Sequence, residues 1–287
     1  MTKAPYTLTA PARQTTSVVF ASPHSGRDYP WAFLRRTVLD ERAIRSSEDA
    51  FVDLLFGDAP EFGAPLVAAT APRAFIDVNR SADELDPALI EGVRKSTHNP
   101  RVTSGLGVIP RVVANGRSIY RGKLTLEEAQ ARLRDHWRPY HDRLQKLLDD
   151  TWSAFGEVIL IDCHSMPHEA IDSIGTSKAP HPQIVLGDRF GAAAENRIVD
   201  RIEAAFAAAG LRVARNSPFA GAYTAQHYGR PSKGQHVIQV EIDRSLYMNE
   251  RLIRPSGGFQ SFRATMRGVI AEICEIGRRE GLPLAAE

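Results

Sequence analysis

The stretch Val158-Ile-Leu-Ile-Asp162-Cys-His164-Ser-Met-Pro167 constrains the fold more than any other part of the chain. Its four apolar residues predict a buried strand over residues 157–162. Polar side chains follow where that strand should end. In open α/β sheets, ligands collect at the carboxyl ends of the strands. His164 is therefore expected at a site, with Asp162 just before the turn. Two other stretches share this grammar. Ser17-Val-Val-Phe-Ala-Ser-Pro-His24-Ser-Gly26 runs from apolar residues into a histidine, and Gly26 allows a tight turn beside it. His236-Val-Ile-Gln-Val-Glu241-Ile-Asp-Arg244 carries an acid among apolar neighbours. Two histidines and a glutamate at three strand ends point to a metal site with a general base. The spacing is too long for a local motif such as H-E-x-x-H.

Elsewhere strands and helices alternate, which predicts helices on both faces of a sheet, a three-layer α/β architecture. Residues 1–16 read as a loose lead-in. Residues 31–45 carry a helical pattern. Ser46-Ser47 offers an N-cap to a helix over 48–55, which would place Glu48 and Asp49 in its first turn and Phe51, Leu54 and Leu55 on its buried face. Strands are expected at 65–69 and 73–80, and an irregular region at 81–123. Thr125 and Glu128 form a capping-box signature at the head of a long helix to Phe155, which Pro139 should kink or divide. Further expectations are a strand at 184–186, a helix at 188–209 stopped by Gly210, a strand at 211–214, a loop at 216–231, a strand at 236–242 and a helix at 259–276. With neither linker nor repeat, residues 1–287 read as one domain.

Composition narrows the classes. The 36 Lys and Arg against 34 Asp and Glu leave a net charge of +2, which argues against a nucleic-acid surface or a polybasic membrane surface. The 2 cysteines, Cys163 and Cys274, belong to no C-x-x-C pair and imply no disulfide framework. No apolar run reaches membrane-spanning length and the first residues lack a signal-peptide core, so a cytoplasmic protein is expected.

His24 and His164 are candidate metal ligands, because neutral imidazole suits zinc and a catalytic zinc takes three protein ligands with one open position. Glu48 or Asp49 could supply the third. Glu241 is the candidate base: apolar surroundings raise a glutamate pKa toward the range useful for proton transfer. The alternative for Glu241 is a structural ion pair with Arg244. Asp162 can orient a metal-bound histidine from behind. Asn79 and Arg80 can hold a substrate carboxylate, since arginine binds carboxylates bidentately. Tyr140 and His141 follow Pro139, and either could face the site or the core. Cys163 and His164, as strand neighbours, should point to opposite faces.

Together these stretches resemble the N-formylglutamate amidohydrolases. The resemblance rests on Pro23-His-Ser-Gly26, Asp49 with Val52, Arg73-x-x-Ile-Asp-x-Asn-Arg80, Trp137-x-Pro-Tyr-His-Asp142, Asp162-x-His-Ser165, Phe219-x-Gly221, His227-Tyr-Gly-x-Pro231, Gln239-x-Glu241 and Tyr247-Met248. These run in order from about residue 19 to 248, and the ordered series is specific although each piece is short. The resemblance implies a phosphorylase/hydrolase-like, zinc-carboxypeptidase-like mixed sheet flanked by helices. It also implies one zinc ion on His24, Asp49 and His164, with Glu48 as the alternative to Asp49, and Glu241 as base. Arg80 and Arg73 would support the oxyanion. Asn79, Arg80, Tyr140 and His227 would contact a small acidic substrate. The implied reaction is hydrolysis of an N-acyl amino acid, N-formyl-L-glutamate first. Alternatives are another N-acyl amino acid or small peptide, a cysteine amidohydrolase using Cys163, or a non-catalytic protein binding acidic ligands. The chain departs from the family pattern at Ala220 and Gln226, where those enzymes carry basic residues, at Ala222 for a second glycine, and at Ser81 for a proline. These departures bear on the substrate and leave the catalytic centre unchanged. Metal identity, the acyl group, the oligomeric state and which of residues 81–123 cover the site stay open.

Overall fold

Period-two alternation along the central strands decides where the layers and the site lie. The computed structural model describes residues 4–94, 99–113, 116–172 and 181–278. Seven strands form one sheet: β1 (Tyr6–Thr9), β2 (Val18–Ser22), β3 (Leu66–Ala69), β4 (Val158–Met166), β5 (Ile184–Gly187), β6 (Val213–Arg215) and β7 (Gln235–Asp243), in the order β1-β3-β2-β4-β7-β5-β6. The centre, β3-β2-β4-β7, is parallel, while β1 and β5 run antiparallel to β3 and β7. The sheet is thus mixed and flanked by helices.

On one face Phe20, Ile161, Cys163, Ile238, Val240 and Ile242 pack under the helices Asn196–Ala208 and Phe259–Ile276. On the other, Val19, Ala21, Leu160 and Val237 meet Tyr140, Leu144, Leu147 and Leu148 of the helix Arg138–Phe155. This second face is apolar only toward the strand beginnings. Toward the carboxyl ends it turns polar, with Asp162 and His164 on β4 and Gln239 and Glu241 on β7. The register sets Asp162 beside Gln239 and His164 beside Glu241. A third apolar cluster, including Phe33, Ile76, Leu89, Ile109 and Ile119, packs the segment between β3 and the long helix.

Several local expectations gave way to non-local bonds. The lead-in contains β1, an edge strand paired with β3. Residues 31–45 form two short helices, Trp31–Leu34 and Glu41–Arg45, and Ser46 closes the second rather than opening a third. The expected helix at 48–55 is only Val52–Leu55, because Phe51 stands at φ 68° and the Asp49 N–H donates to the His24 carbonyl. Of its expected apolar face, Leu55 is buried but Leu54 is 41% exposed. The expected strand at 73–80 is a series of turns: the N–H groups of Phe75 and Ile76 donate to Pro72 O, and that of Asp77 to Val108 O. β4 runs on through His164 to Met166, past its expected end. The helix expected from 188 starts at Asn196, and the loop expected at 216–231 contains the helix Tyr223–Tyr228. The Thr125–Glu128 capping box is present, and a π turn at Leu133–Trp137 stands where Pro139 cannot supply an N–H. Among the described residues no helix is long and apolar enough to cross a membrane.

Gly26 has a different use from the turn expected of it. A Cβ there would lie 2.2 Å from the Ala71 carbonyl oxygen, so a bare backbone lets the His24 turn close against the end of β3.

Candidate metal centre

His24 follows β2, His164 sits near the end of β4, and Asp49 lies between them on the loop before Val52. Ligand atoms of these three residues all come within 4.8 Å of one another, and all three side chains are buried. Asp49 Oδ2 is 2.9 Å from His164 Nδ1 and 3.4 Å from His24 Nδ1. The outer nitrogens are held from behind. His24 Nε2 donates to Asp77 Oδ1 at 2.6 Å, and His164 Nε2 lies 3.1 Å from Asp162 Oδ2. A carboxylate behind each imidazole suits a proton on Nε2, which would leave both Nδ1 atoms, turned toward Asp49, to ligate a metal, the arrangement that metal-binding histidines adopt. His24 Nδ1 is buried without a hydrogen-bond partner, which a cation at this point would supply. The donor set of two imidazoles and a carboxylate suits zinc.

Charge agrees with that geometry. Burial alone would raise the Asp49 carboxyl, but His164 and His24 hold it well below the usual range. Burial likewise opposes charge on His164, yet Asp162 and Asp49 push its pKa well up, so a metal must displace a proton there. Burial pushes Glu241 up to about 7, with His164 pulling it down and Asp49 adding to the rise.

Glu48 is engaged elsewhere. It accepts from Tyr29 Oη at 2.6 Å and from Arg45 Nε at 3.0 Å. Arg244, considered as a partner for Glu241, instead donates to Asp49 Oδ1 at 3.0 Å and to Ser165 Oγ at 3.1 Å. Glu241 takes a hydrogen bond from Gln239 Nε2 at 2.8 Å. Arg73 reaches Asp77 Oδ2 at 3.0 Å, which ties it to the back of His24.

These groups line a cavity of about 540 Å³. His24, Asp49, Arg73, Asn79, Arg80, His164 and Glu241 all border it, and so does Arg101, which the sequence did not single out. Arg80 donates to the carbonyls of Asn79 and Leu106, and no described carboxylate pairs with it. Asn79 is committed within the protein: Oδ1 accepts from Thr224, and Nδ2 lies 3.0 Å from His164 Nε2 and donates to Asp162 at 3.3 Å. Tyr140 and His227 do not border this cavity. Tyr140 is buried in the core under β4, and His227 stacks on Tyr223 at 5.0 Å. His141 is also structural: burial lowers its pKa to about 3, and its ring bridges Tyr228 Oη and Val78 O. Cys163 lies on the opposite face of the sheet from His164, and burial pushes its thiol well up, which removes the thiolate a cysteine nucleophile needs.

Asp77 and Gln239 are supports that sequence reasoning left without a role, and Arg244 has a different partner from the one expected of it. Gln239 and Glu241 share the two-residue spacing that makes Asp162 and His164 neighbours on one face. Asp77 and Arg73 show an i,i+4 charge pair. Nothing local points Arg244 at Asp49.

A buried acid–base group beside a candidate metal-ligand set, in a cavity at strand ends, is equipment that hydrolases use. Within that class the chain is a member of the N-formylglutamate amidohydrolase family, whose model matches residues 16–248. It is 28% identical over 272 residues to an N-formylglutamate deformylase of Pseudomonas aeruginosa, covering 92% of this chain and 93% of that one. An N-formylglutamate deformylase of Pseudomonas putida is 30% identical over 242 residues, covering 81% and 82%. The crystal structure of N-formylglutamate amidohydrolase from Ralstonia eutropha superposes with a TM-score of 0.90 at 35% identity, over 96% of this chain and 99% of that one. The Agrobacterium tumefaciens protein Atu2144 shares the fold at a TM-score of 0.65 and 16% identity, over 96% of each chain.

Proposed function

We propose that this chain is a zinc-dependent amidohydrolase that cleaves N-formyl-L-glutamate to formate and L-glutamate. The observation that carries the proposal is Glu241, buried in one cavity with His24, Asp49, His164 and the guanidinium of Arg80, which has no carboxylate partner among the described residues. The names of the relatives supply the acyl group. A zinc ion on the three ligands would polarise the amide carbonyl and lower the pKa of a water molecule.

The chain's own residues do the rest. Glu241 accepts a proton from the attacking water and later delivers it to the departing nitrogen. Arg73, held by Asp77, offers positive charge to the tetrahedral oxygen. Arg80 takes a substrate carboxylate, and Arg101 adds a further cation on the same cavity. Asp77 and Asp162 keep both imidazoles in the ligating tautomer.

The test is formate release from N-formyl-L-glutamate by zinc-loaded protein beside a chelated control. Release that vanishes on chelation and returns with zinc is the expected result. Absence of release at any metal loading would reject this substrate. Arg80→Met should raise KM by about 10-fold or more with a smaller effect on kcat, as loss of a charge-assisted bond predicts. An unchanged KM would remove Arg80 from the carboxylate contact.

A further inference from the structure

We infer that Gln239 is a positioning residue that fixes which oxygen of Glu241 faces the cavity, and that it takes its own orientation from the cavity rim. The inference rests on Glu241 acting as the base.

A carboxamide has a donor end and an acceptor end, and only the donor end suits a carboxylate. Gln239 is 4% exposed, so neither end can turn to solvent. The backbone N–H of Ala222 donates to Gln239 Oε1 at 2.9 Å, which settles the orientation. Nε2 is thereby aimed at Glu241 Oε1, 2.8 Å away. Glu241 Oε2 has no hydrogen bond from a described residue and is the oxygen left for a substrate water.

The rim reaches Gln239 because of the strand beside it. Gly187 of β5 is the register partner of Gln239. A Cβ on Gly187 would lie 2.7 Å from Ala220 C and 2.7 Å from Gly221 N. Without it the rim segment 219–222 settles onto the sheet, where the Arg189 N–H also donates to Ala220 O at 2.7 Å. Gly187, Ala222 and Gln239 thus form a series that ends on the base.

Two substitutions separate the ends of this series. Gln239→Glu keeps an acceptor for Ala222 N–H and replaces the amide donor toward Glu241 with a carboxyl that either repels it or shares a proton with it, and both disable the base. Gln239→Met keeps length and loses both bonds. With zinc-loaded protein and N-formyl-L-glutamate, both are expected to lower kcat by about 10- to 100-fold, with KM and zinc content little changed. Normal kcat in Gln239→Glu alongside an impaired Gln239→Met would overturn the inference, because the glutamine would then serve only the rim. Losses confined to KM, or tracking lost zinc, overturn it too. Glu241→Gln in the same assay tells this failure apart from failure of the base assignment. A crystal structure of zinc-loaded Gln239→Met, in which no side-chain donor replaces the amide, reads the point without turnover. Glu241 turned from its parent position supports the inference, and Glu241 left in place overturns it.

Discussion

Glutamine at position 241 is expected to cut kcat by about 10²- to 10⁴-fold, the range that a positioned general base contributes. The substitution is nearly isosteric, and its carbonyl oxygen can still accept from Gln239 Nε2, so the side chain has a reason to stay in place. It cannot take up a proton. The proposed metal ligands are other residues, so zinc content should match the parent when measured by elemental analysis. The carboxylate is costly where it is, since burial pushes it up to about 7. Glu241→Gln should therefore be no less stable than the parent in a denaturant titration. Inactive, zinc-replete and stable is the combination that a base predicts. Turnover within a few-fold of the parent would hand proton transfer to another group.

The parts of the site that were legible in the sequence are those that strand periodicity fixes. Asp162, Cys163 and His164 are consecutive, so one face receives the acid and the imidazole and the other receives the thiol. The same alternation brings Gln239 and Glu241 out together. What was hidden depends on contacts between distant segments. The apolar pattern at 48–55 suits a helix, but the bond from Asp49 N–H to His24 O and the left-handed Phe51 hold Asp49 out of it. That is how the two adjacent acids part: Asp49 goes to the histidines and Glu48 to Tyr29 and Arg45. Residues 73–80 look like a strand because Ala-Phe-Ile is apolar. Their N–H groups are satisfied by Pro72 and Val108, and the apolar side chains fill the third cluster rather than a sheet face. Asn79 looked like a substrate donor because its tertiary partners, Asp162 and Thr224, are far away in sequence.

Asp49 is where loss of metal and loss of stability should coincide, and the two can be separated. Its Oδ2 faces both histidines, while its Oδ1 accepts from Arg244, whose side chain is 7% exposed. Asp49→Ala removes the carboxylate that faces both imidazoles and leaves the guanidinium with Ser165 Oγ, backbone carbonyls and the more distant Glu250 carboxylate at 4.0 Å. Breaking a buried ion pair costs about 3–5 kcal/mol, and Glu250 offsets part of it, so a loss of about 2–4 kcal/mol is expected. Denaturant titrations in the presence of chelator should show a loss of that size against the chelated parent, since neither protein then gains from metal. Zinc should next raise the Tm of the parent, because a ligand that binds only the folded state stabilises it. It should leave the variant's Tm unmoved. Asp49→Asn keeps an acceptor for Arg244 without the charge, so its chelated stability should fall between the two while its response to zinc stays small. If chelated Asp49→Ala were as stable as the parent, the Arg244 pair would contribute nothing. If zinc still raised the variant's Tm by the parent's amount, Asp49 would not be a ligand, because the same carboxylate cannot be both dispensable for binding and the atom between the two imidazoles.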